Sequence, residues 1–167
     1  MLVVFSGLPG VGKTTIARAL AASLGAVHLR IDTIEQALRN AGWKVDGEGY
    51  SVAYALAEDN LGLGHIVVAD CVNPWPLTRD EWRSVAARAG VRVVDVELVC
   101  SAVHEHRRRV ESRLADLAGH RLPTWAEVAE RDYRPWSRER LVIDTAVLEV
   151  AESVRTIRSE IDRCRSS

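Results

Sequence analysis

Nine residues near the start, Gly7-Leu8-Pro9-Gly10-Val11-Gly12-Lys13-Thr14-Thr15, constrain this chain more than anything else in it. They match G-x-x-x-x-G-K-[ST] with nothing missing. The run Met1-Leu2-Val3-Val4-Phe5 before them reads as a buried strand, and Ile16, Ala17, Leu20, Ala21 and Leu24 after them recur at helical spacing. Strand, glycine loop and helix in that order make a phosphate-binding loop. The glycines let backbone N–H groups close around phosphate oxygens with no Cβ in the way, and the helix N-terminus adds partial positive charge. All nine residues, Gly7 through Thr15, are therefore expected to line a nucleotide site. Lys13 is expected to reach the β- and γ-phosphates, and the Thr14 hydroxyl to bind Mg²⁺. Lys13 and Lys44 are the lysines in a total of 22 Lys and Arg. A chain that uses arginine almost throughout has kept a lysine where a compact point charge is needed.

The 167 residues suit one domain, expected over 1–167, with a proper core. Apolar residues are 47% and charged residues 27%, and the net charge is −1. That balance carries no general nucleic-acid or membrane footprint, so neither is an expected partner. Cys71, Cys100 and Cys164 lack C-x-x-C spacing, and buried free thiols are the simplest account. The first residues lack a basic n-region and their apolar run is short, so the expected location is the cytoplasm.

Apolar runs of strand length alternate with helical patterns. Strands are expected at 1–5, 26–31, 65–70, 91–99 and 141–144. Helices are expected after the loop through Ile16 to Leu24 and at 33–41, 51–63, 78–88, 102–117, 124–132 and about 147–163. Asn73-Pro74-Trp75-Pro76 breaks the chain after the third strand. This alternation predicts an α/β fold, a parallel sheet covered by helices on both faces. Ligands of such sheets bind beyond the carboxyl ends of the strands, where Asp32 and Asp70 both fall.

Asp70 closes the run Ile66-Val67-Val68-Ala69 and is expected to organise Mg²⁺ together with Thr14. Asp32 is expected to act as a general base that takes the proton from an acceptor hydroxyl as it attacks a γ-phosphate. The stretch Asp32-Thr33-Ile34-Glu35 also reads as a helix start, with Asp32 as N-cap and Glu35 three residues on. A cap would fix the carboxylate at the strand's carboxyl end, so the two readings are compatible. In the basic stretch 104–113, Arg109 and Arg113 are four apart and expected on one helical face. There they would either close over the transferring phosphoryl group or pair with Glu105 and Glu111 in solvent. Trp82 is expected in the core; Trp43 and Trp75 follow strands and would either line an acceptor pocket or simply pack. His104 and His106 have no metal-ligand spacing with other His or Cys.

Taken together, Gly7 to Thr15, Asp32-Thr33-Ile34, Val67-Val68-Ala69-Asp70 with Asn73-Pro74 and Trp82, and Arg109-x-x-x-Arg113 resemble the small P-loop kinases. That group includes gluconate kinase, chloramphenicol phosphotransferase and the kinase part of polynucleotide kinase. The resemblance runs from Met1 to about Asp144. It implies a three-layer P-loop fold with a five-stranded parallel sheet in order 2-3-1-4-5 and a mobile lid around residues 101–135. It implies ATP with Mg²⁺ as donor, Asp32 as the acceptor-activating acid, Arg109 and Arg113 as lid arginines, and Asp70 as the acid after the third strand. The stretch Gly119-His120-Arg121-Leu122-Pro123-Thr124-Trp125 matches none of the acceptor-specific members and leaves the acceptor open. The expected activity is phosphoryl transfer from ATP to a hydroxyl of a small molecule. Two alternatives stay open: a nucleotide-dependent ATPase or switch for a protein partner, and a 5′-hydroxyl polynucleotide kinase.

Overall fold

The computed structural model describes residues 1–166. Strand β1 (Leu2–Ser6) is the centre of a five-stranded sheet whose other strands are β2 (Val27–Arg30), β3 (Val67–Asp70), β4 (Val93–Val99) and β5 (Leu141–Asp144). Every pairing is parallel and the order is β2-β3-β1-β4-β5. All five residues of β1 are buried because helices cover both faces of the sheet. Val3 and Phe5 meet Ile16 and Leu20 of α1 (Lys13–Leu24) and Ile157 and Ile161 of α7 (Val150–Ser166). Leu2 and Val4 point the other way, toward Ala53 and Ala57 of α3 (Glu48–Gly62) and Trp82 and Val85 of α4 (Pro76–Arg88). This is the expected doubly covered sheet, with the strand order that the resemblance implies. Among the described residues no helix is long and apolar enough to cross a membrane.

Two local expectations are corrected. Helix α2 (Ile31–Asn40) follows β2 with no loop between them, so its N-cap is Arg30 and no side chain caps it. Asp32 sits inside the first turn and is not the cap; the strand hands the chain straight into the helix and leaves no room for an Asx cap. Helix α5 (Val103–Ser112) stops well short of residue 117, and Arg113 is already extended at φ −69°, ψ 134°. Arg109 and Arg113 therefore do not share a helical face. In α3 the inward side is Ala53, Ala57 and Leu61, while Val52 and Leu56 are exposed. The small inward residues let α3 lie close to Trp82 and Ile31.

The stretch between β4 and β5 holds α5 and α6 (Trp125–Ala129), with a capping box at Thr124 and Glu127 opening α6. Its return is fastened by the buried Arg79 of α4. That guanidinium donates to the carbonyls of Asn73, Pro74, Arg134 and Pro135 and stacks on Trp136, 4.2 Å from the ring centroid. Asn73 itself takes a left-handed turn at φ 50°, which asparagine tolerates, and its amide donates to Ser6 Oγ at 3.0 Å.

Candidate active site

The register puts Phe5, Arg30 and Asp70 level with one another at the carboxyl edge of three neighbouring strands. The loop that leaves β1 turns there into α1, with Gly7, Gly10 and Gly12 at φ 137°, 86° and 90°. Gly10 is required twice over. Its φ is left-handed, and a Cβ there would lie 2.5 Å from Val110 Cγ2 of α5. Beside it, His106 Nε2 donates to the Pro9 carbonyl at 2.8 Å, and its ring stands edge-on to Trp125 at 5.1 Å. Helix α5 is thereby seated on the phosphate loop. The loop residues Pro9, Gly10, Gly12, Lys13, Thr14 and Thr15 line a cleft of roughly 900 Å³, large enough for a nucleotide with a small second ligand.

Lys13 is buried at the cleft wall and donates to the Leu8 carbonyl at 2.9 Å. Burial lowers its pKa, against the opposing pull of Asp70 and Asp32. Asp70 is 3% exposed, and among the described residues its Oδ2 has no hydrogen-bond partner; His28 Nε2 stands 3.5 Å away. Burial alone would raise the Asp70 pKa, yet the neighbouring His28 ring, the Lys13 ammonium and the Thr14 hydroxyl together hold it below its ordinary value. An ionised carboxylate with an orphaned oxygen, beside a hydroxyl and below a ring of left-handed glycines, is the donor set a hard divalent cation takes. The residues present therefore fit a nucleotide phosphate with Mg²⁺. Thr14 and Asp70 would hold the ion, and loop N–H groups with Lys13 would hold the phosphates.

Asp32 lines the same cleft, with 40% of its side chain exposed. Arg109 reaches the rim, but its guanidinium is committed to Glu105 at 2.7 Å, Thr145 Oγ1 at 3.0 Å and the Thr145 carbonyl at 3.1 Å. Arg108 and Arg109 together hold the Glu105 carboxyl at a pKa of about 2. Arg113 lines the cleft from the extended segment after α5. The structure thus brings Lys13, Thr14, Asp32, Asp70, Arg109 and Arg113 to one cleft by a different route from the shared helix face that the spacing suggested.

The tryptophans behave otherwise. Trp82 is fully buried, as expected. Trp43 and Trp75 are 67% and 47% exposed and do not line the cleft. Trp75 Nε1 instead donates to Asp132 at 3.0 Å. Residues the sequence did not single out stand in their place: Arg18, Arg30, Gln36 and Asp116. The buried Arg30 meets the Asp116 carboxylate through two nitrogens at 2.6 and 3.1 Å, across 86 residues of sequence. An arginine closing a strand just before Asp32 was the available signal for this pair.

Fold and site together define a P-loop domain of the small-kinase type. Residues 2–131 match the family described as AAA domain, and the chain belongs to that family. A candidate adenylate kinase of Pyrococcus abyssi is 42% identical over 77 residues, which cover 40% of this chain; the match spans 41% of that relative's length. Among solved structures, the APS kinase CysC of Mycobacterium tuberculosis in complex with AMPPNP and APS superposes with a TM-score of 0.76 at 19% identity, covering 96% of each chain. Kti12 of Chaetomium thermophilum in complex with ADP-AlF3 gives 0.70 at 22% identity, over 96% of this chain and 97% of that one. A gluconokinase from Sinorhizobium meliloti 1021 gives 0.64 at 22% identity, over 97% and 91%. At these identities the likeness is one of fold.

Proposed function

We propose that this chain is an ATP- and Mg²⁺-dependent phosphotransferase that moves the γ-phosphoryl group to a hydroxyl of a small molecule. It would act as a single domain over residues 1–167, with residues 101–135 serving as its lid. The observation that carries the reading is Asp32, an accessible carboxylate in the same cleft as Lys13 and Thr14. A nucleotide-binding module that only switches has no use for a base on the acceptor side. Asp32 accepts the proton of the acceptor hydroxyl as its oxygen bonds to the γ-phosphorus and the bond to the β–γ bridging oxygen breaks. Lys13 and the loop N–H groups hold the phosphates and offset the charge that gathers on the departing ADP. Thr14 and Asp70 hold Mg²⁺, which when bound neutralises phosphate charge and orients the donor. Among the described residues Arg113 has no side-chain partner, so in the cleft it can meet the equatorial oxygens directly; Arg109 must first exchange Thr145 for them. The segment after α5 covers the cleft and excludes water, which would otherwise compete as acceptor.

The AMPPNP and ADP-AlF3 complexes of proteins with this fold support a nucleoside triphosphate as donor. A second reading, a nucleotide phosphate as acceptor, is favoured by the Pyrococcus abyssi relative. A phosphate oxygen carries no proton to remove, so that reading gives Asp32 no role as base. Screening sugars, nucleosides, nucleoside monophosphates, amino alcohols and phenolic antibiotics for ADP release tests the two together. Turnover with a hydroxyl compound is expected. Turnover confined to nucleoside monophosphates would favour the second reading, and ATP hydrolysis that no acceptor stimulates would contradict both.

A further inference from the structure

Arg30 is 4% exposed and stands one strand over from Asp70, at the mouth of the cleft. Two of its nitrogens hold Asp116, its Nη2 lies 3.4 Å from Asp32 Oδ2, and its buried Nε has no partner among the described residues. Asp116 belongs to the segment between α5 and α6, which also brings Gly119 close to Gln36 of α2. Arg18 of α1 reaches the same carboxylate at 3.1 Å. The carboxylate on Arg30 is thus supplied by the loop between α5 and α6, 86 residues along the chain.

A guanidinium fork that loses one anion has donors free for another. With Asp116 displaced, Arg30 would keep only the 3.4 Å contact to Asp32 among the described residues. The cleft as a whole is basic: its lining has eight Lys and Arg against five Asp and Glu, and eight against four once Asp116 is withdrawn. This is in a chain whose net charge is −1. The geometry points to an oxyanion-binding subsite at Arg30, assisted by Arg18, that takes a carboxylate or phosphoryl group of the acceptor, with Asp116 as its intramolecular stand-in. This rests on the phosphotransferase reading and narrows it. The acceptor is a small hydroxylated anion, whose charge on Arg30 sets its hydroxyl beside Asp32. Arginine suits either oxyanion because its planar fork donates to two oxygens at once.

The test titrates inorganic phosphate and, separately, acetate into protein saturated with AMPPNP, so that the phosphate loop is already filled. If Asp116 occupies Arg30 in about nine molecules of ten, Asp116→Asn tightens the oxyanion by about tenfold. Arg30→Gln should abolish that binding. Arg30→Lys, which keeps the charge and loses the fork, should give an intermediate affinity and serves if the Gln variant melts early. The stronger of the two probes names the group. AMPPNP affinity, measured first, should be the same in all four proteins. Failure of wild type to bind AMPPNP would count against the phosphotransferase reading alone, since phosphate binding that depends on Arg30 can still be scored. Oxyanion affinity that neither Asp116→Asn nor the Arg30 variants alter would overturn the subsite.

Discussion

His106 Nε2 donates to the carbonyl of Pro9 at 2.8 Å, so the helix that opens the segment over the cleft is bonded to the phosphate loop. The bond crosses 97 residues and is buried. His106→Ala would leave the Pro9 carbonyl without this partner and strip the edge-on contact from Trp125. A buried unsatisfied polar group costs about 1–3 kcal/mol. In a domain of this size that is a fall in Tm of several degrees, at about 2–4 °C per kcal/mol. AMPPNP affinity should fall with it, because the loop loses its outer support. Thermal melts with and without AMPPNP check this; an unchanged Tm and an unchanged affinity would separate α5 from the loop.

Lys13→Ala should bind AMPPNP far more weakly while remaining folded. Among the described residues its Nζ bonds to the Leu8 carbonyl alone, so removing the side chain leaves the sheet and its two cores intact. Calorimetric titration of the folded variant is the check, and wild-type affinity would remove Lys13 from the phosphate site.

Acid should uncouple Asp116 from Arg30. The Arg30 hydrogen bonds, more than offsetting slight burial, hold the Asp116 carboxyl well below the usual carboxylate range. A carboxyl lowered in the folded state stabilises above its unfolded pKa of about 3.9 and loses that contribution as pH falls below it. Wild type should therefore melt slightly above Asp116→Asn at pH 6, and the gap should close as pH drops below about 4. The pair is partly exposed, so the gap is small, within about 1 kcal/mol. A gap that widens on acidification would contradict the assignment.

Mg²⁺ with AMPPNP should stabilise the native state by about 2.7 kcal/mol at a hundredfold excess over Kd, and so raise Tm. Excess EDTA should abolish turnover. Asp70→Asn should retain AMPPNP binding but lose most of the Mg²⁺-dependent part of the Tm rise. A full Mg²⁺ effect in that variant would place the ion elsewhere.

Much of this was readable from short-range pattern. The loop from Gly7 to Thr15 and the buried strands ending at Ser6 and Asp70 depend on neighbours within a few residues, and periodicity reports those. The covered sheet follows from the alternation of elements, and its strand order came from the resemblance. Pattern failed where the chain is joined without a loop or folded back over a long distance. Asp32 resembles a cap because Asp-x-x-Glu usually is one, but β2 runs directly into α2 and the helix begins two residues earlier. Arg113 keeps helical spacing to Arg109, yet the helix ends at Ser112 and the segment turns toward Arg30 and Arg18 through Asp116. Tertiary pairing overrides propensity there. Trp43 and Trp75 lie outside the cleft because the arginine-lined wall, not an aromatic one, closes it.

The central claim is that Asp32 is the base for a hydroxyl acceptor, and one pair of variants tests it. Because Asp32 caps nothing, Asp32→Asn and Asp32→Ala should both fold with near-wild-type Tm, losing at most the few tenths to 1 kcal/mol of an acidic group in the first helical turn. Both should bind AMPPNP normally. Initial rates of ADP release with the best acceptor from the screen should fall by about 10²–10⁴-fold in each, the range for a lost general base. Either variant phosphorylating that acceptor at close to the wild-type rate would contradict the account and leave Asp32 as an ordinary residue of the α2 surface.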